Sequence, residues 1–128
     1  MRPYLPLAGL LLAAATVPSS AVLPACEASA ATPSALHSFG TNAAGSFRCD
    51  TARASLSVEV CLEYLNGIKW TAIACDTGYA TDATEVSATA YGCEWGLFLY
   101  RSTARGTSSD GESGYAASVP TAFYCTPL

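Results

Sequence analysis

The sequence predicts an all-β domain: an antiparallel β-sandwich of about five to six strands, stapled by disulfides, for which an immunoglobulin-like arrangement is one available architecture. Three observations carry this expectation. Residues 52–64 alternate, with Ala52, Ala54, Leu56, Val58, Val60, Leu62 and Tyr64 on one row and Arg53, Ser55, Ser57, Glu59, Cys61 and Glu63 on the other. That is the period-two pattern of a strand with one buried face. Asn66-Gly67 separates this run from a second one, Ile68 to Cys75, and Asn-Gly between apolar runs is the strongest local hairpin signal, because a type I′ turn needs positive φ at both central residues. Six cysteines in 128 residues point to a disulfide scaffold in an oxidising compartment.

The chain opens on Arg2, an apolar run from Leu5 to Val17, Pro18, and the small residues Ser19, Ser20 and Ala21, the pattern of a secretory signal peptide. A bilayer core takes about 20 helical residues, so a run this short that contains Pro6 predicts no permanent membrane span. Cleavage after Ala21, giving a 1–21 signal peptide, keeps all six cysteines; cleavage after the second candidate, Ala28-Ser29-Ala30, strands one of them. Leu23-Pro24-Ala25-Cys26 also reads as a lipoprotein box, which would anchor the chain through a lipidated Cys26, although Pro24 suits that box poorly and an odd cysteine is again left over.

Residues 22–46 are rich in Ala, Ser, Thr and Pro with few large apolar side chains, and this composition predicts a flexible leader ahead of a β domain over 47–128. The hairpin follows. A two-residue loop at Asn66-Gly67 places Leu65 opposite Ile68, Glu63 opposite Trp70, Cys61 opposite Ala72 and Val58 opposite Cys75. Asp76 to Ala83 then reads as a loop on its Asp and Gly content. Val86, Ala88 and Ala90 alternate with Glu85, Ser87 and Thr89 in a third strand, Thr84 to Tyr91. Trp95 to Arg105 reads as a fourth. Asp110-Gly111 marks a second hairpin turn before a fifth strand, Tyr115 to Tyr124, with Phe98 facing Phe123 and Tyr100 facing Thr121. Pro120 cannot donate to a ladder, which assigns it to an edge or a bulge. The order Cys61, Trp70, Cys125 is that of an immunoglobulin domain, but Trp70 falls on the second arm of a tight hairpin and no strand follows Cys125.

Cys26, Cys49, Cys61, Cys75, Cys93 and Cys125 allow 15 pairings. Cys75 with Cys93 is favoured because the two bracket one connecting segment. No CxxC pair is present and the single histidine, His37, is remote from every cysteine, so no zinc site is expected, and no cofactor. Asp76, Asp82 and Glu85 match no calcium loop.

The segments Val58 to Gly67, Trp70 to Asp76, and Gly92-Cys93 through Leu99-Tyr100-Arg101-Ser102-Thr103-Ala104 resemble small exported disulfide-containing all-β proteins of actinomycete type. The resemblance implies a bacterial, exported, disulfide-bonded protein and carries no reaction.

The formal charge of −4 and scattered Arg48, Arg53, Lys69, Arg101 and Arg105 argue against nucleic-acid binding, which needs clustered cations. Catalysis is not expected. A lone His37 has no positioned partner for acid-base or triad chemistry, and Glu59 with Glu63 reads as a solvated strand face rather than a glycosidase pair. The expected role is recognition of an extracellular protein or glycan. Trp95, Trp70, Tyr91 and Tyr79 are the candidate binding rings, against the alternative that Trp70 packs on the Cys61 disulfide while Tyr100 and Tyr124 fill the core. Two further readings use the same scaffold: a carbohydrate-binding module, and an enzyme inhibitor presenting a disulfide-held loop at Asp76 to Gly92 or Thr107 to Ser113.

Overall fold

The computed structural model of the protein describes residues 25–35 and 40–126. The signal peptide expected over 1–21, and His37 with its neighbours Leu36 and Phe39, lie outside the described residues. Six strands are seen: β1 (Cys26–Ala35), β2 (Thr41–Asn66), β3 (Lys69–Gly92), β4 (Gly96–Ser108), β5 (Ser113–Ala117) and β6 (Thr121–Cys125). All pairings are antiparallel. The all-β, disulfide-linked class is therefore the one that the alternation and the cysteine content predict.

Two strands dominate. β2 and β3 form one hairpin of 26 and 24 residues, bent in the middle. At the bend, residues 49–52 of β2 face only Thr84 of β3, because Arg48 pairs with Glu85 and Arg53 with Ala83. β2 thus takes the longer path around the corner. Asp82 adopts φ 49° there, a left-handed conformation that Asp tolerates better than most residues. Crossing the corner also inverts the inward phase of β2: Thr41, Ala43, Phe47 and Cys49 are buried before it, and Leu56, Val58, Val60 and Leu62 after it. Both halves consequently present apolar side chains to the same interior. Ala52 and Ala54, expected on the buried row, stand exposed at the corner.

The first layer comprises β1, the first half of β2 and the second half of β3. The second comprises the first half of β3, the second half of β2, and β4, with β5 and β6 both pairing with β4. β1 lies over β4 and β5. The layers approach so closely at Gly106 that an added Cβ would run into the Phe47 ring, and at Gly45 a Cβ would sit 2.8 Å from that of Ala104. Tyr100 is fully buried between them, its hydroxyl donating to the Glu94 carbonyl and accepting from the Glu94 N–H, each at 3.2 Å.

Several expectations are corrected. Residues 26–35 and 41–46 are strands, not a leader. Their small side chains bury little, but β1 gains a ladder with β2, interrupted between Ala31 and Ser34, the Cys26–Cys49 bridge, and contact of Ala28 and Ala30 with the core. Asp76 to Ala83 lies within β3 rather than in a loop. Among the described residues β3 pairs with β2 alone, and a solvated edge strand accepts Asp and Gly that a central strand would not.

The hairpin register differs as well. Gly67 alone has positive φ at the turn (69°), with Asn66 paired to Lys69, so the loop is Gly67-Ile68 and has the type II′ pattern of positive φ at its first central residue. A bulge at Ile73 follows, between the Leu62↔Ala74 and Glu63↔Ala72 pairs. Turn shift and bulge together bring Cys75 opposite Cys61, and these two form a disulfide. The favoured Cys75–Cys93 bridge is accordingly absent: Cys93 bonds Cys125. Because Cys61 bonds its own ladder partner, the Cys61, Trp70, Cys125 order does not mark an inter-sheet bridge of immunoglobulin type.

Phe98 does face Phe123, and Tyr100 does face Thr121. The expected fifth strand is divided into β5 and β6 by residues 118–120, where Pro120 sits. Ser118 bridges the gap, its N–H donating to the Ser102 carbonyl and its Oγ accepting from the Ser102 N–H, each at 2.9 Å.

Candidate functional site

The second layer turns one face inward and leaves the other open to solvent. Since residues paired across a ladder share a face, the outward side of β2, β4, β6 and the start of β3 is fixed by register. Leu97 pairs with Tyr124, Leu99 with Ala122, Glu63 with both Arg101 and Ala72, and Leu65 with Trp70. Leu97 is 67%, Tyr124 66% and Leu99 40% exposed, and Ile68 at the hairpin tip is fully exposed. This end of the sheet is therefore an apolar surface.

An ion pair organises it. Arg101 Nε donates to Glu63 Oε1 at 2.7 Å, and both side chains are largely covered. The Arg101 guanidinium also lies 4.5 Å from the centroid of the Trp70 ring, which adds a cation–π attraction. Arg101 thereby links the Glu63 row to Trp70 on the neighbouring Leu65 row. Along β4 the pattern repeats, with Arg105 lying 4.9 Å from the Tyr115 ring centroid.

Of the four predicted rings, Trp70 belongs to the apolar end and is half-buried against Arg101. Tyr79 lies on the same outward face at the far end, opposite Ser57, whose hydroxyl is 2.9 Å from that of Thr107. Tyr91 is exposed on the other layer, opposite Asn42. Trp95 is exposed at the bend that precedes β4, beside Gly96 with φ 120°. The structure does not bring the four together. Tyr100 fills the core as the alternative reading held, whereas Tyr124 does not.

Leu97, Leu99 and Tyr124 were not among the predicted residues. The signal for the two leucines is the uninterrupted run Leu97-Phe98-Leu99-Tyr100, in which both strand faces are apolar; Tyr124 joins them as the ladder partner of Leu97. In a two-layered protein one of those faces must meet either a third layer or water.

The predicted inhibitor loops fare differently. Asp76 to Gly92 is ladder-paired strand. The second, Thr107 to Ser113, is a short turn tied back by Ser108 N–H to the Glu112 carbonyl at 2.9 Å. Arg53 braces it: Nε lies 2.9 Å from Asp110 Oδ2, without hydrogen-bond alignment, while the other guanidinium nitrogens bond Thr51 and Asp50. A hydrogen bond from Ser108, reinforced by Arg53, holds the Asp110 carboxyl below the usual carboxylate range.

Asp76, Asp82 and Glu85 are spaced along β3; Asp76 accepts from the Thr77 N–H at 2.9 Å and Glu85 pairs with Arg48. Around Arg48 the first layer carries two adjoining shallow depressions of about 420 and 400 Å³, both lined by Glu27 and Arg48. Glu59, Cys61 and Cys75 place a carboxylate oxygen and two sulfurs within 4.8 Å of one another. Cys26, the residue of the lipoprotein reading, is 3% exposed and bonded to Cys49. No helix of the described residues is long and apolar enough to cross a membrane. Comparison with protein-family models, with curated proteins and with solved structures finds no match to this chain.

Proposed function

We propose that the protein is exported, has no catalytic activity of its own, and binds an extracellular partner through the outward face of β2, β4 and β6. The observation that carries this reading is the cluster of Leu97, Leu99 and Tyr124 in water beside the contacts that Arg101 makes with Glu63 and Trp70. Exposed apolar clusters of this kind with a polar rim mark interaction sites, and Trp, Tyr and Arg are the residue types that most often dominate binding energy. The aliphatic share of the surface favours a protein partner over a glycan. Three disulfides support an oxidising compartment, and the Leu5 to Val17 run supports export by a signal peptide.

The test compares wild type with Leu97→Ser/Leu99→Ser, which alters only solvent-facing side chains. Each protein is assayed for retention on insoluble cellulose, chitin and peptidoglycan, and for cross-linking to proteins of the extracellular medium. Loss of an interface anchor costs about 2 kcal/mol or more, roughly thirtyfold in Kd. The expected outcome is loss of binding by the variant, and equal binding by both proteins would overturn the assignment.

A further inference from the structure

We propose that the Cys61–Cys75 bridge is a reducible site whose two cysteine sulfurs, once released, bind one zinc ion together with the Glu59 carboxylate. Glu59 precedes Cys61 by two residues on the outward face of β2, and Cys75 stands directly across the ladder. Their three candidate ligand atoms already lie within 4.8 Å of one another. Two thiolates and a carboxylate form a donor set that zinc accepts, with water completing its four-coordinate shell.

Accessibility singles out this bridge. Cys75 is the one exposed half-cystine among the described residues; Cys61 and Cys93 are half-buried, and Cys26, Cys49 and Cys125 are 3%, 5% and 2% exposed, so each of the other two bridges has at least one buried sulfur. Thiol–disulfide exchange requires the attacking thiolate to reach a sulfur, so a small dithiol reaches Cys75 before the buried sulfurs. The ladder holds the site open to a metal afterwards: β2 and β3 remain paired from Arg53↔Ala83 to Asn66↔Lys69 on both sides of the cysteines. Released sulfurs thus stay opposite each other. A zinc ion with these three ligands carries one net negative charge, and Arg101 and Arg105 lie one row to either side of Thr103, the β4 partner of Cys61.

The step balances with a dithiol as reductant. One of its thiolates attacks Cys75 Sγ, the bond between the two cysteine sulfurs breaks, and its electron pair leaves on Cys61. The second thiol of the reductant then closes on its own sulfur, which releases Cys75 and a cyclic disulfide. Two electrons pass to the protein, and the two cysteine protons go to solvent when the metal binds.

The experiment treats the full exported protein with limiting dithiothreitol, removes the reagent by desalting, and maps free thiols by alkylation. Cys61 and Cys75 are expected to label first; first labelling at any other pair overturns the proposal. The same partly reduced protein is titrated with cobalt(II) as a spectroscopic substitute for zinc. One equivalent should produce a thiolate-to-cobalt charge-transfer band that zinc then abolishes, while the oxidised protein shows none. Glu59→Gln, a change at an exposed side chain that leaves folding intact, should weaken cobalt binding at least tenfold. Absence of the band, or equal cobalt affinity in wild type and Glu59→Gln, would overturn the proposal.

Discussion

At the scale of single residues, the Arg53 side chain is only 10% exposed and gathers Asp50, Thr51 and Asp110 around one guanidinium. It joins the corner of β2 to the β4–β5 turn, two segments without other side-chain anchors of comparable charge among the described residues. Asp110 reports on this latch. Because the Ser108 hydroxyl bond and Arg53 lower its folded pKa, the stabilisation from its carboxylate is fully present above the unfolded value of about 3.9 and is lost as pH falls through the folded one. Asp110→Asn is therefore expected to melt below wild type at neutral pH and together with it in strong acid, as read by thermal unfolding at both pH values. A constant gap at both would show that the carboxylate charge does not act through this contact.

At the scale of elements, the β2–β3 hairpin shows how far local sequence rules reach. Its apolar row, Leu56 to Leu62, and the presence of a turn near Asn66-Gly67 were legible because alternation and Asn-Gly act locally. The turn residue that matters is Gly67, with φ 69°; an L side chain there costs about 1 kcal/mol. Gly67→Ala should lower stability by about that amount in denaturant titration, whereas Asn66→Ala should not, since Asn66 is a paired strand residue. The Ile73 bulge was not legible, because nothing in Thr71-Ala72-Ile73-Ala74 marks an extra residue. It decides the pairing of Cys75 and with it the disulfide. β1 escaped notice for a related reason: its strength lies in backbone hydrogen bonds and a bridge to Cys49, and neither depends on the hydrophobicity that composition reports. On β4, the outward leucines were visible in the run 97–100, but only the layer count shows that this face meets water.

At the scale of the whole molecule, one bent hairpin supplies both layers, and their spacing depends on positions with no side chain. Gly106→Ala would force a methyl group into the Phe47 ring, and overpacking of this kind costs about 1–3 kcal/mol. The loss should appear in equilibrium unfolding, and unchanged stability would mean that the layers stand further apart. The same layering dictates which side chains face solvent, so the binding face rests on the register of β2 with β3 and β4. That register is written in the cysteines. After cleavage at Lys, Arg and Glu each of the six cysteines lies on its own peptide, so mass mapping of the non-reduced protein reads the pairing directly. Peptides joined as Cys26–Cys49, Cys61–Cys75 and Cys93–Cys125 are expected; a Cys75–Cys93 peptide would contradict the hairpin register and the outward face derived from it.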